Sequence, residues 1–229
     1  MIRVGTFLRG VAAIGILSAS LHVGPVSAAG NSGKDASSRR LQMPGELIRQ
    51  RPQISIDAIR ALSLIMRTEN KEDPMYLESR RVVSDGVAKR LALDPIQLNR
   101  AWSRAPRDHQ IAILSALTQL GVRYIEGKED SYVKMDCSGL LWFAWRTAGV
   151  DMPRQAVSQL DRRMRVDRED AIAGDITGEG THVQMYLGTG LAMIHAPFGG
   201  KFVKFKIMSA EQAARVVWTN PSNIATFRL

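Results

Sequence analysis

Residues 135–142 read Met135-Asp136-Cys137-Ser138-Gly139-Leu140-Leu141-Trp142, and this stretch decides how the rest of the chain is read. Asp136 is a favoured N-cap type, and Leu140, Leu141, Phe143 and Ala144 follow at helical spacing, so a helix is predicted from Cys137 to about Ala148. Cys137 then lies in the first helical turn. Unpaired N–H groups and the positive end of the helix dipole favour a thiolate there and lower its pKa. Ser138 and Gly139 leave space for a substrate to approach. Cys137 is also the only cysteine in 229 residues. It has no internal disulfide partner, so it is either a buried apolar filler or a thiol kept for its reactivity. A helix start is an unusual place for a filler.

Upstream of this helix the texture is helical. Between Pro44 and Met66 the residues Leu47, Ile48, Ile54, Ile56, Ile59, Leu62 and Ile65 approach helical spacing, interrupted at Pro52. A second helix is predicted from about Pro74 to Leu93, with a thin apolar face and a basic one carrying Arg80, Arg81, Lys89 and Arg90. Asp94-Pro95 breaks it, and Ile96 to Trp102 add a short helix. Together, residues 44–105 read as a solvated helical extension. Residues 108–121 make a further helix that stops at Gly121. Downstream, Val183–Leu187, Ala192–Ala196, Phe202–Lys206 and Ala225–Leu229 are strand candidates, and the run Gly174-Asp175-Ile-Thr-Gly178-Glu-Gly180 reads as a polar, glycine-rich connection. Helices first and strands afterwards indicate an α+β domain with a mainly antiparallel sheet, covering residues 106–229.

A thiol nucleophile needs a general base, normally histidine. Beyond His22 the chain has His109, His182 and His195. The last two flank a predicted hairpin, HVQMYL-GT-GLAMIH. With Gly188-Thr189 as a two-residue turn, His182 falls opposite His195; with Thr189-Gly190 the two remain on one face, one diagonal apart. A three-residue loop would separate them onto opposite faces. A histidine pair on one face offers one ring to the thiol and a second to orient the first.

Taken in order, Gly121-Val-Arg-Tyr124, Asp136-Cys137-Ser138-Gly139-Leu140, Pro153-Arg154 with Gln159, Gly174-Asp175, His182-Val-x-x-Tyr186-Leu-Gly188 and Ile194-His195-Ala196-Pro197 resemble the NlpC-type (NlpC/P60) peptidoglycan endopeptidases. The resemblance covers roughly residues 108–229 and implies a papain-like cysteine peptidase. It implies Cys137 as nucleophile, His182 as base and later acid, and His195 as the residue that orients it. Tyr124 matches the family tyrosine at the active site, and Asp136, Ser138 and Arg154 match positions lining the stem-peptide groove. The implied reaction is hydrolysis after γ-D-glutamate, with no cofactor and no metal. The chain departs from the family in reading Tyr124-Ile-Glu126-Gly127 after the tyrosine, in the polar 174–180 run, and in Gln184, where a glycine is usual. On a period-2 strand Gln184 shares the face of His182.

The N-terminus reads as an address. Arg3 and Arg9 precede an apolar run from Val11 to about Val26, and Val26-Ser27-Ala28-Ala29 offers a cleavage site, so residues 1–28 are expected to be a signal peptide and 29–43 a flexible leader. Gly15, Ser18, Ser20, His22 and Pro25 make the run a poor membrane span, so an exported protein of the cell envelope, periplasmic or secreted, is expected. The net charge of +9 falls to +7 once Arg3 and Arg9 are removed, since residues 1–28 hold no acid. A basic exported protein suits peptidoglycan and anionic wall polymers; no nucleic-acid motif is present. Three rivals stay open at this point. They are a zinc site built from Cys137, His182 and His195, a non-catalytic wall-binding or scaffolding protein, and an acyltransferase or amidase on the same architecture.

Overall fold

The computed structural model describes residues 51–199 and 201–225. The expected signal peptide and leader lie outside these described residues, as do residues 44–50. Four helices come first: α1 (Gln53–Arg67), α2 (Pro74–Leu91), α3 (Pro95–Arg104) and α4 (Arg107–Leu117). Two of them are started by the same device. Asp73 accepts from the Tyr76 N–H, and Asp94 accepts from the N–H groups of Ile96 and Gln97, with Pro74 and Pro95 at the first helical position in each case. Asp94-Pro95 therefore begins α3, whereas α2 ends earlier, at Leu91, where Ala92 takes the left-handed conformation.

Three two-residue strands follow, β1 (Arg123–Tyr124), β2 (Glu129–Asp130) and β3 (Lys134–Met135), in a small sheet ordered β1-β3-β2. Next come α5 (Cys137–Thr147) and the short α6 (Ala156–Gln159). The main sheet is built from β4 (Ile176–Glu179), β5 (His182–Tyr186), β6 (Ala192–His195), β7 (Lys204–Ile207) and, after α7 (Ala210–Arg215), β8 (Val217–Thr219); α8 (Ser222–Ala225) ends the described chain. Its strand order is β7-β6-β5-β4-β8 and every pairing is antiparallel. The α+β class is as expected, with helices packed on a mainly antiparallel sheet. Among the described residues, no helix is long and apolar enough to cross a membrane.

The alternation along β5 and β6 sorts side chains between two environments. Val183, Met185, Ala192 and Ile194 point into the main core with Leu140, Leu141 and Trp145 of α5. The opposite face carries His182, Gln184, Tyr186, Met193 and His195. It is partly covered by a second cluster of Met193, Met208, Ala213, Val216 and Trp218.

Four expectations need correcting. First, the helices before residue 106 are not a solvated extension. Ala58, Ala61, Ile65, Tyr76, Val83, Val87, Leu98 and Trp102 are buried in the same core as Ile113, Leu117, Trp145 and Leu187. The thin face of α2 suffices because the polar side chains it buries find partners: Tyr76 Oη donates to Gln110 Oε1 at 2.6 Å, and the two terminal nitrogens of Arg80 donate to Gln110 and Ser103, leaving only its Nε unpaired. Second, residues 176–179 form a strand rather than a loose loop. Backbone pairing to β5 and β8 on both sides outweighs the polar composition, and Gly178 is required by close approach, since a Cβ there would lie 2.4 Å from the His182 carbonyl oxygen. Third, the sheet edge is closed by Val217–Thr219. Ala225 belongs to α8, and residues 226–229 lie outside the described residues. Fourth, the strand expected at Phe202–Lys206 begins at Lys204, with Phe202 held in a single bridge to Arg123.

Candidate active site

Asp136 organises the start of α5. Its Oδ1 accepts from the Gly139 N–H at 2.6 Å and its Oδ2 accepts from the Gly127 N–H at 2.8 Å, so one carboxylate caps the helix and fastens the preceding loop to it. Gly139 is needed here, because a Cβ would fall 2.4 Å from the Lys128 carbonyl oxygen. The result fixes Cys137 at the first helical position. Its thiol lies 3.5 Å from the Thr181 carbonyl oxygen and meets the Val183 N–H, so the sulfur is lodged against the two residues that flank His182.

The β5–β6 register pairs Met185 with Ile194 and Tyr186 with Met193. This is the slid register, centred on Thr189-Gly190, and it leaves His182 and His195 on one face, one diagonal apart. Their rings meet edge to face, with His182 Nε2 3.1 Å from His195 Nδ1. His182 Nδ1 takes no part in this contact.

An open cleft of about 680 Å³ is lined by Tyr124, Asp136, Cys137, Ser138, Arg154 and His182, while His195 stands behind His182. Arg154 is not a free cation in this cleft. It grips both oxygens of Asp136 at 3.0 Å, Ser138 Oγ at 2.9 Å and Glu129 Oε2 at 3.0 Å. Gln159 buttresses the same wall, donating to the carbonyls of Ser138 and Pro153. Glu126, Glu129, Val157, Thr181 and Phe198 also face the cleft. Sequence reasoning missed all five. Glu129 sits in an ordinary charge run, and Phe198, 70% exposed, contacts Tyr124 only across the fold.

The electrostatics differ from the simple helix-start expectation. Burial pushes the Cys137 thiol above its ordinary value, and the N–H groups of Val183, Ser138 and Cys137 pull it back without reversing the shift. His182 is held below its ordinary value by burial and by Lys206. His195 is pushed down to about 3 by burial first, then by His182, Lys206, Lys204 and Lys201. Burial raises the Asp136 carboxyl, but Arg154 and the Gly139 and Gly127 N–H groups outweigh it and hold it low. The resting pair is thus a neutral thiol beside a neutral imidazole, with a carboxylate locked to an arginine alongside. Such an arrangement can move a proton from sulfur to nitrogen when an electrophile arrives.

A cysteine at a helix start, packed against a strand that opens with histidine, coincides in sequence with a known family. Residues 121–220 match the NlpC/P60 family model. Every motif of the sequence resemblance, from Gly121 to Pro197, falls inside the NlpC/P60 match. The bifunctional muramidase/DL-endopeptidase CwlT of Bacillus subtilis is 32% identical over 90 residues, covering 36% of this chain and 27% of that protein. The chain therefore spans about a quarter of the length of this curated relative. NlpC1 of Trichomonas vaginalis is similar at 30% identity and a TM-score of 0.40, covering 49% of this chain and 45% of the other. An NlpC/P60 family protein of Bacillus cereus is similar at 26% identity and a TM-score of 0.44, with coverages of 49% and 40%.

Proposed function

We propose that this chain is an exported cysteine peptidase that hydrolyses peptidoglycan stem peptides after γ-D-glutamate, with Cys137 as nucleophile, His182 as base and His195 as its orienting partner. The observation that carries the reading is the lodging of the Cys137 thiol between Thr181 and Val183, beside a His182 whose far nitrogen meets His195. The DL-endopeptidase activity in the name of the Bacillus relative supports the choice of bond. In this reading residues 106–229 carry the chemistry, 44–105 are a helical extension whose described part, from residue 51, is built into the same core, and 1–28 direct the protein to the envelope.

The reaction runs as acyl transfer. Cys137 Sγ attacks the carbonyl carbon as its proton passes to His182 Nδ1. The resulting imidazolium is steadied through Nε2–H donated to His195 Nδ1, which stays neutral and able to accept. The N–H groups of Cys137 and Ser138, at the first two helical positions, are placed to hold the oxyanion. The C–N bond breaks, His182 protonates the departing amine, and water then hydrolyses the thioester to restore the thiol. Tyr124, Asp136, Ser138 and Arg154 contact the peptide. Since Arg154 is neutralised by Asp136 and Glu129, with Glu126 nearby, this wall suits a substrate ammonium better than a carboxylate.

Defined muropeptides are digested with mature protein and with Cys137→Ala, and the products are weighed by mass spectrometry. Release of fragments ending in γ-D-glutamate by the wild type alone is expected. Equal release by both proteins would overturn the enzyme reading, and a product heavier than the hydrolysed fragment would redirect it to an acyltransferase.

A further inference from the structure

Behind the histidine pair two buried polar atoms lack partners, and they are complementary. His195 Nε2 has no hydrogen bond, and neither has the side-chain oxygen of Gln184. Gln184 is 1% exposed, and its amide nitrogen meets only the Met208 thioether at 3.3 Å, a weak acceptor. Carried on by one residue, the β5–β6 register sets Gln184 opposite His195, and directly opposed residues share a face with Cβ atoms about 4.5–5.5 Å apart. A buried donor and a buried acceptor left without partners each carry an uncompensated desolvation cost, which two such neighbours can relieve together.

The tautomers give the pair a function. For His182 Nδ1 to take the thiol proton, its Nε2 must carry hydrogen and donate to His195 Nδ1. His195 must then carry its own hydrogen on Nε2, the atom left without a partner. We propose that Gln184 is a positioning residue for this site: its side-chain oxygen accepts the His195 Nε2–H, directly or through one buried water, and so locks the histidine pair in the tautomer that leaves His182 Nδ1 free for Cys137. The terminal torsion of a glutamine is broad, so its oxygen can swing towards the ring without moving the strand. An amide suits the task because it carries no charge. The groups around His195 are His182 on β5 and Lys201, Lys204 and Lys206 on and before β7, all of which disfavour an imidazolium; Glu179 stands opposite His182 at the far end of β4. A neutral acceptor fixes the proton's place without changing that balance.

The role assigned to Gln184 rests on the peptidase reading, so its test has a readout independent of turnover. Histidine ¹⁵N chemical shifts in wild-type protein report the tautomer of His195, and the Nε2–H form is expected. Finding the Nδ1–H form instead would overturn the proposal even in an active enzyme. Two variants then follow, each checked by its melting curve. Gln184→Met keeps the length and removes the acceptor; it should give a mixture of His195 tautomers and lower kcat by roughly 10- to 100-fold, the usual loss when a group orienting a functional imidazole is removed, with KM little changed. Gln184→Glu restores an acceptor, so the Nε2–H form should return while the acid limb of the rate profile moves to higher pH. Unchanged tautomer and unchanged kcat in Gln184→Met would overturn the assignment. If instead wild type and Cys137→Ala are equally inactive, the peptidase reading fails while the tautomer measurement still decides the role of Gln184.

Discussion

Cys137 and His182 both lie off their ordinary titration values in the direction of the neutral form, and this fixes the pH behaviour expected of the site. His182 has to be unprotonated to accept the thiol proton. Because its pKa is lowered, kcat/KM should rise with pH through a midpoint below the ordinary histidine value of about 6.5 and stay flat above it. Alkylation of Cys137 by iodoacetamide should correspondingly show no thiolate-like acceleration at neutral pH. A midpoint above the ordinary histidine value would contradict the neutral pair. A second prediction concerns Arg154, whose fork holds both oxygens of Asp136. Arg154→Lys keeps the charge and loses the paired geometry. A rise in KM of about tenfold is expected, equivalent to one charge-assisted hydrogen bond of about 1.5 kcal/mol, with kcat less affected. Steady-state kinetics on a defined muropeptide checks it. Residue identities were largely legible at this scale, since Asp136 and Cys137 act locally. The partners of Arg154 were not, because Asp136 and Ser138 meet it from 18 and 16 residues away and Glu129 from 25.

At the scale of elements, α1 to α3 are structural members of the core. Trp102 is buried and its indole N–H donates to the Leu187 carbonyl at 2.8 Å, tying α3 to the end of β5; Ser55 Oγ donates to the Thr118 carbonyl at 2.7 Å, tying α1 to the end of α4. Trp102→Ala should therefore cost about 3–5 kcal/mol in urea unfolding, through the cavity and the lost hydrogen bond. None of the cleft-lining residues comes from α1 to α3. Truncation to residue 106 should consequently abolish cooperative unfolding rather than open the groove and raise activity, and a soluble, more active fragment would count against it. The helices could be read from periodicity and from Asp-Pro starts. Their burial could not, because the thin face of α2 becomes a core face only when Gln110 and Ser103 arrive to pair with Tyr76 and Arg80.

Across the whole molecule α4, the start of β4 and the C-terminal end of the described chain meet at His109, a histidine away from the cleft. Its ring is fully buried; Nδ1 lies 2.9 Å from Asp108 and Nε2 3.2 Å from Asp175, and Ser222 of α8 donates to Asp108. Burial disfavours a charged ring, but the two carboxylates outweigh it and raise the His109 pKa; the same contacts, with Ser222, bring Asp108 down to about 2. The raised histidine contributes stability that is fully present below about pH 6.5 and is lost as pH rises through its folded value. The lowered aspartate contributes stability present above about pH 3.9 and lost as pH falls towards 2. Urea midpoints against pH should therefore show a stability advantage of the wild type over His109→Gln that is largest between these limits and shrinks on both sides; a pH-independent difference would refute the account. By itself the sequence determined the class of fold and the helix that begins at Cys137, and it narrowed the His182–His195 hairpin to a few registers, of which the structure takes one that puts both rings on one face, because caps, periodicity and strand alternation act over a few residues. Only the tertiary structure decided that the polar 176–179 run is a strand, that the early helices are core, and that the thiol is buried rather than dipole-activated. Those outcomes depend on backbone partners, packed surfaces and lost water contributed by segments far away in the chain, which no local pattern records.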